Sequence, residues 1–158
     1  MNILIIFIAK YLVFISAAIA VVYFARQSRQ KQKEILVFAV ILLPLSYFFA
    51  KLVSRFYFDQ RPFVQGNFTP LLPHAADNGF PSDHTLLGAA IAFAIFHFNK
   101  KLGLLLLYLT VLVGVARVLA GVHHTADIAG SILIVGVIYY ALAAYFNPIS
   151  WKIFRGKV

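Results

Sequence analysis

Five long apolar stretches dominate this sequence, and they restrict the folds that it can adopt. They cover approximately residues 3–24, 35–53, 82–98, 102–120 and 126–146. A membrane-spanning helix needs about 20 apolar residues, with a range of about 17–25, so each stretch is long enough and the third only just. The stretches lack the period-two alternation of a membrane β-barrel. The sequence therefore predicts an all-α, polytopic transmembrane bundle of about five spanning helices.

The composition excludes two other classes of protein. Of the 158 residues, 62% are hydrophobic and 12% are charged, whereas soluble domains have about 45–50% and about 25%. A chain this apolar is neither a soluble globular domain nor a disordered one. The absence of cysteine excludes disulfides, thiolate nucleophiles and thiolate metal sites. The length favours a single domain over residues 1–158.

The basic residues are concentrated in the connections that alternating helices would place on one side of a membrane. Residues 26–34, 99–101 and 147–158 hold nine of the fourteen basic residues. The positive-inside rule makes this side cytoplasmic, with the C-terminus inside and the N-terminus outside. The net charge of +9 is therefore explained by topology, and no nucleic-acid partner is predicted.

The other ionisable residues lie mainly at the outer ends of the second to fifth stretches, where burial in a membrane is costly and usually indicates function. His123 and Asp127 are four residues apart, one helical turn. A carboxylate in this position can fix the histidine tautomer and leave the other ring nitrogen free to attack a substrate. The alternative is an interfacial histidine beside a capping aspartate.

The third stretch begins with a second polar group, Pro81-Ser-Asp-His84. Ser82 or Asp83 is a natural N-cap, and a helix N-terminus attracts anions. His84 lies in the first turn of this predicted helix. This arrangement indicates a phosphate pocket, with simple helix capping as the alternative.

Cationic residues follow the second stretch, at Lys51, Arg55 and Arg61, and Arg117 ends the fourth. Arginine binds phosphate oxygens through two parallel hydrogen bonds. The alternative is a long side chain that reaches from the membrane to its surface, which we favour for Lys51 taken alone. Arg61 precedes a proline, away from a regular helix, which favours a functional role.

Together these groups predict phosphoryl transfer without a metal or another cofactor. A zinc site built from His84, His123 and Asp127 is conceivable, but the neighbouring arginines would repel a cation. Hydrolysis through Ser82 has less support because the sequence lacks a Gly-x-Ser-x-Gly motif. Two alternatives from other classes are a transport protein and a non-catalytic lipid-binding protein.

The polar groups resemble the three motifs of the type 2 phosphatidic acid phosphatase superfamily of integral membrane lipid phosphatases. Those motifs are Lys-x6-Arg-Pro, Pro-Ser-Gly-His and Ser-Arg-x5-His-x3-Asp. Residues 61–62 match the end of the first, residues 81–84 resemble the second, and residues 117–127 contain most of the third. The three motifs occur in the same order and at helix ends.

The resemblance implies a role for each matching position. His123 would attack phosphorus to form a phosphohistidine, Asp127 would orient His123, and His84 would protonate the leaving oxygen. The phosphoryl oxygens would be bound by three further residues, Arg61, Ser82 and Arg117.

The sequence departs from the family pattern in several places. Ser54 stands where the first motif has lysine, and Arg55 is the preferred substitute, with Lys51 second. Asp83 replaces the glycine of the second motif, and Ala116 replaces the serine of the third. The family core usually has six spanning helices, one more than this sequence predicts.

Residues 73–84 look like the bacterial polyprenyl diphosphatase branch of the family. The resemblance implies an enzyme of the bacterial inner membrane that converts undecaprenyl diphosphate to undecaprenyl phosphate and phosphate at its outer face. Its partner would be a lipid phosphate from the bilayer. Alternatives are a lipid A, phosphatidylglycerophosphate or phosphatidate phosphatase. The sequence assigns no role to Lys10, His74 or His124, and no oligomeric state.

Overall fold

The computed structural model describes residues 2–146 and consists of helices joined by short connections, except for one long loop. The predicted basic tail lies outside the described residues. No strand occurs in residues 2–146, apart from one isolated bridge between Gln60 and Asn78. The helices are α1 Asn2–Ala25, α2 Arg29–Ser54, α3 Pro62–Gln65, α4 Asp83–Phe98, α5 Lys100–Leu119 and α6 Thr125–Tyr145.

Helix α2 begins earlier than the apolar stretch that predicts it. The basic segment that the sequence suggests as a connection forms its first turns, because Ser28 caps the helix by accepting a hydrogen bond from the Lys31 backbone N–H. The Gln, Lys and Glu residues that follow are good helix formers. The connection between α1 and α2 is thus shortened to residues 26–28.

Four helices, α1, α2, α5 and α6, are long and apolar enough to cross a membrane. Helix α4 is also apolar but has 16 residues, and is therefore about 24 Å long, less than the hydrocarbon thickness of about 30 Å. Large apolar side chains point outward on the long helices, among them Ile3, Phe14, Phe48, Leu104 and Val137. Such a surface suits lipid rather than water.

Helix α4 lies at the centre of the bundle and packs against α1, α2, α5 and α6. Small residues allow these close approaches: the buried face of α4 includes Gly88, Ala89 and Ala92. On α5, a Cβ at Gly103 would overlap the backbone of Phe96. The sequence pattern showed the apolar character of α4, whereas its central position depends on these small side chains.

A small apolar cluster packs under the connection between α5 and α6. It consists of Ala9, Leu72, Ala116, Ala120 and Val122. The loop between α3 and α4 joins this cluster through a hydrogen bond from the Leu71 N–H to the Ala120 carbonyl, 3.0 Å long. The cluster therefore fixes the loop that carries His123 against α1.

Candidate active site

Most of the predicted site residues line one cavity of about 270 Å³. It lies where α2 and α5 end and α4 and α6 begin. The long loop between α2 and α4 folds over the same end of the bundle. Charged and histidine side chains lining the cavity include Lys51, Arg61, His74, His84, Arg117 and His123.

His123 and Asp127 form the contact that their spacing predicts. His123 Nδ1 lies 3.1 Å from Asp127 Oδ2, and the two side chains are 2% and 0% exposed. Asp127 Oδ2 also accepts the His124 backbone N–H at 2.9 Å. An ionised carboxylate here accepts a hydrogen bond from a protonated Nδ1, which leaves a lone pair on His123 Nε2. Asp127 can therefore orient His123 and set its tautomer.

Arg117 connects two histidines at the cavity. Its Nη2 lies 3.3 Å from His123 Nε2 and 3.1 Å from His74 Nε2. Its Nη1 lies 3.5 Å from the Ala9 carbonyl in α1. Because guanidinium only donates, the contact with Nε2 agrees with a lone pair on that nitrogen. An entering phosphoryl group could take over these donors.

Arg61 is 5% exposed and cross-links the loops. Its Nε donates to Asp77 Oδ1 at 2.7 Å, and Nη1 donates to the Val122 carbonyl at 2.8 Å. Its Nη2 lies 3.3 Å from the Asn78 carbonyl. Arg61 thus fixes the segment before His123 while lining the cavity, a structural role that the sequence did not indicate.

The cavity contains Lys51 but does not contain Arg55, the preferred substitute for the first-motif lysine. Arg55 is exposed at the end of α2, whereas Lys51 Nζ lies 3.3 Å from Asp83 Oδ1. This pair joins the second candidate for the first-motif lysine to Asp83, which replaces the glycine of the second motif. Arg55 is the C-cap residue of α2.

Ser82 is fully buried and does not line the cavity. Its hydroxyl accepts a hydrogen bond from Thr85 Oγ1 at 3.1 Å, and its carbonyl accepts one from Ser131 Oγ at 3.1 Å. In this arrangement the backbone carbonyl of Ser82 joins the start of α4 to α6, and its hydroxyl contacts the first turn of α4. The hydroxyl is therefore directed at Thr85, and a role for Ser82 in phosphate binding stays a prediction.

Both loop histidines at the cavity are held in the neutral form. Burial, then the charges of Arg61 and Arg117, lower the pKa of His74 to about 4. Burial also lowers the pKa of His123, with the Asp127 hydrogen bond opposing this effect. A neutral His123 has the lone pair that a nucleophile requires.

The zinc trio suggested by the sequence is not the group that the fold assembles. Among residues 2–146, the metal-ligating side chains that come close together are Asp59, His124 and Asp127, with ligand atoms within 4.8 Å of one another. His84 and His123 are outside this group. Two carboxyl groups this close to one another favour a proton on one of them or a cation between them.

Sequence reasoning did not assign His74, Asp59 or His124 to the site. All three lie on the predicted outer side, where ionisable residues are concentrated. This concentration was the one feature of the sequence that could have indicated their place in the site. Their positions depend on the fold of the long loop. In that loop, Asn78 Oδ1 accepts the backbone N–H groups of Asp59 and Phe80 at 2.9 and 3.0 Å.

Comparison with known proteins identifies the family of the chain. Residues 34–151 match the PAP2 superfamily. The chain belongs to this family. The predicted family and the transmembrane all-α fold are therefore confirmed, and this PAP2 protein is an integral membrane protein.

Two curated relatives cover most of the PAP2 chain. It is 35% identical over 135 residues to the Bacitracin transport permease protein BcrC of Bacillus licheniformis, an alignment that covers 85% of this chain and 66% of that one. It is 32% identical over 149 residues to the Undecaprenyl-diphosphatase BcrC of Bacillus subtilis (strain 168), covering 90% and 75%. This chain thus spans about two thirds to three quarters of their lengths. Together with the family match, the second relative supports the predicted lipid phosphatase activity.

A solved structure shares the fold of the PAP2 chain. It is the crystal structure of the first transmembrane PAP2 type phosphatidylglycerolphosphate phosphatase from Bacillus subtilis, with a TM-score of 0.61 and 20% identity. The comparison covers 93% of this chain and 78% of that one. At this identity the likeness concerns the fold.

Proposed function

We propose that this PAP2 protein hydrolyses undecaprenyl diphosphate to undecaprenyl phosphate and phosphate, through a phosphohistidine on His123 and without a metal. The observation that carries the proposal is the His123–Asp127 pair beside Arg117 in a cavity large enough for a phosphoryl group. The similarity to an undecaprenyl-diphosphatase supports the choice of lipid. The proposed catalytic domain is residues 1–158.

The proposed reaction has two steps. His123 Nε2 attacks the terminal phosphorus, and His84 gives a proton to the leaving oxygen of the lipid phosphate. Arg61 and Arg117 stabilise the charge that develops on the other phosphoryl oxygens. Water then attacks the phosphohistidine, with His84 as the base, which releases phosphate and restores His123.

The location of the cavity supports access from the membrane surface. It lies at the helix ends opposite the basic α1–α2 and α4–α5 connections, so the positive-inside rule places it on the outer face of the inner membrane. The C-terminus would then be cytoplasmic. Asp83 lines both this cavity and a neighbouring apolar groove that includes Leu43, Tyr47 and Leu87. A lipid phosphate can therefore have its head in the cavity and its chain along the helices.

The test is phosphate release by purified protein in detergent with EDTA. Undecaprenyl diphosphate, phosphatidylglycerophosphate, phosphatidate and lipid A are offered at equal concentrations. We expect undecaprenyl diphosphate to have the highest kcat/KM and EDTA to have no effect. If another lipid has a higher kcat/KM, that lipid becomes the proposed substrate. Inhibition by EDTA that added metal reverses would overturn the metal-independent mechanism.

Lys51 and Arg55 offer a matched comparison of two cations on α2. We expect Lys51→Ala to raise KM about tenfold, because one charge that attracts the phosphate is lost. Arg55→Ala should leave KM unchanged, since Arg55 lies outside the cavity. Initial rates over a substrate series check both values. The reverse ranking would make Arg55 the substitute for the first-motif lysine.

The pH dependence follows from the lowered pKa of His123. Protonation blocks its lone pair, so kcat/KM should fall as the pH decreases through the His123 pKa. Because burial lowers this pKa from 6.5, we expect the midpoint of the acid limb below pH 6.5. Initial rates at low substrate concentration measure it. A midpoint above pH 6.5 would contradict a buried neutral nucleophile.

A further inference from the structure

Asp127 has a carboxylate oxygen that its contact with His123 leaves unused. Oδ2 accepts from the His123 side chain and the His124 backbone, whereas Oδ1 is buried and no donor on a neighbouring N–H or hydroxyl group reaches it. An ionised carboxylate oxygen without a donor is unfavourable in a buried site. This oxygen therefore requires a partner that can supply a proton.

The carboxyl group of Asp59 is the neighbour in position to supply one. A carboxylate oxygen of Asp59 lies within 4.8 Å of a carboxylate oxygen of Asp127, and the Asp59 side chain is 18% exposed. The backbone holds it there: the Gly79 N–H donates to the Asp59 carbonyl at 2.8 Å. A Cβ on Gly79 would lie 3.1 Å from Asp127 Oδ2, so glycine permits this close approach of the loop.

The charges around Asp59 favour its neutral form. Burial, followed by the negative charge of Asp127, raises the pKa of Asp59, while His124 opposes this effect. His124 Nδ1 lies 3.2 Å from Asp59 Oδ2 but is not well aligned for a hydrogen bond. Arg61, two residues along the chain, directs its guanidinium to Asp77, Val122 and Asn78. Asp59 is thus the member of the carboxyl pair that is better suited to hold a proton.

We infer that Asp59 is a positioning residue for the proposed reaction: as a neutral acid it donates a hydrogen bond to Asp127 Oδ1. Asp127 then remains ionised with both carboxylate oxygens accepting hydrogen bonds, and Oδ2 stays directed at His123 Nδ1. No proton leaves the pair during turnover. The inference rests on the proposed function, because positioning matters only if His123 is the nucleophile. A cation between Asp59, His124 and Asp127 is the competing arrangement, disfavoured by the nearby charges of Arg61 and Arg117.

The kinetic test compares two substitutions that differ in their ability to donate. Asp59→Ala removes the donor and should lower kcat by about tenfold to a hundredfold, with KM changed less than about twofold. Asp59→Asn retains an N–H donor and should keep kcat within about threefold of the wild type. Glu34→Gln, a carboxyl replacement at the opposite end of α2, is the control. Equal losses in both Asp59 variants, or an unchanged rate in Asp59→Ala, would overturn the inference.

A second measurement does not depend on turnover. The chain has four aspartates, so a protein labelled with ¹³C at the aspartate carboxyl carbons gives four resonances that single Asp→Asn variants assign. In detergent with EDTA, Asp59 should titrate at higher pH than Asp77, and the Asp127 resonance should shift as Asp59 titrates. An Asp127 resonance that does not respond to Asp59→Ala, which removes the donor, would overturn the inference.

The same spectra separate the remaining outcomes. Asp59 ionised with a protonated His124 would overturn the inference, as would carboxyl shifts that appear with added Zn²⁺ and disappear with EDTA. Wild-type protein without activity on any offered lipid phosphate would overturn the proposed function. In that case the carboxyl titration still confirms or refutes the proton contact between Asp59 and Asp127, while the positioning role fails with the reaction.

Discussion

Replacing His123 with alanine should reduce phosphate release by about 10⁴-fold or more, the scale seen when a nucleophile is removed. Its Nε2 is the ring nitrogen that Asp127 leaves free, and it lies 3.3 Å from Arg117 in the cavity. The chain has no cysteine that could take over as nucleophile. Initial rates with undecaprenyl diphosphate measure the loss, and a thermal melt checks that the variant is folded.

His97 supplies a matched control because it is a histidine outside the site. It lies in the last turn of α4, where its ring stacks on Phe38 with centroids 4.3 Å apart. We expect His97→Asn to retain the wild-type rate within about threefold, because a substitution remote from the site leaves the contacts of the transition state intact. Wild-type activity in His123→Ala would exclude His123 as the nucleophile and, with it, the phosphohistidine.

Replacing Arg61 with lysine should impair both activity and folding, although the positive charge is kept. Lysine cannot reproduce three contacts made by one planar guanidinium, so the buried Val122 carbonyl loses its partner. We expect destabilisation of about 1–3 kcal/mol from the unpaired groups and a loss of kcat of at least about tenfold, because the His123 loop shifts. Thermal melts and initial rates measure the two effects.

Arg55 provides the matched control for this substitution. It precedes Arg61 in the same connection but is exposed, so Arg55→Lys should change neither the melting temperature nor the rate. Wild-type stability in Arg61→Lys would show that the Asp77, Asn78 and Val122 contacts are not needed to hold the loop. Wild-type kinetics in the same variant would limit Arg61 to a role outside phosphate binding.

The sequence predicted those parts of the structure that depend on local patterns. The lengths of the apolar stretches were sufficient to predict the long helices. The four-residue spacing of His123 and Asp127 was sufficient to predict their contact. The family resemblance correctly indicated the superfamily. These features depend on residues near one another in the chain, or on hydrophobicity averaged over many residues.

Features that depend on distant side chains were harder to predict. Lys51 lines the cavity whereas Arg55 does not, and Ser82 contacts α6 through its backbone carbonyl and not through its hydroxyl. His74 reaches Arg117 across 43 residues of chain. The long loop between α2 and α4 determines these contacts, and it has neither helical periodicity nor an apolar run from which its path could be inferred.

The contact between Arg117 and α1 has a consequence for dividing the chain into fragments. The family match begins at residue 34, yet Ala9 of α1 packs in the cluster beneath the His123 loop and its carbonyl faces Arg117. A fragment that begins at residue 34 would lack α1 and would expose the side of that cluster against which Ala9 packs. We therefore expect the smallest working unit to be larger than the region that sequence comparison matches, because α1 supports the candidate site as well as being long and apolar enough to cross a membrane.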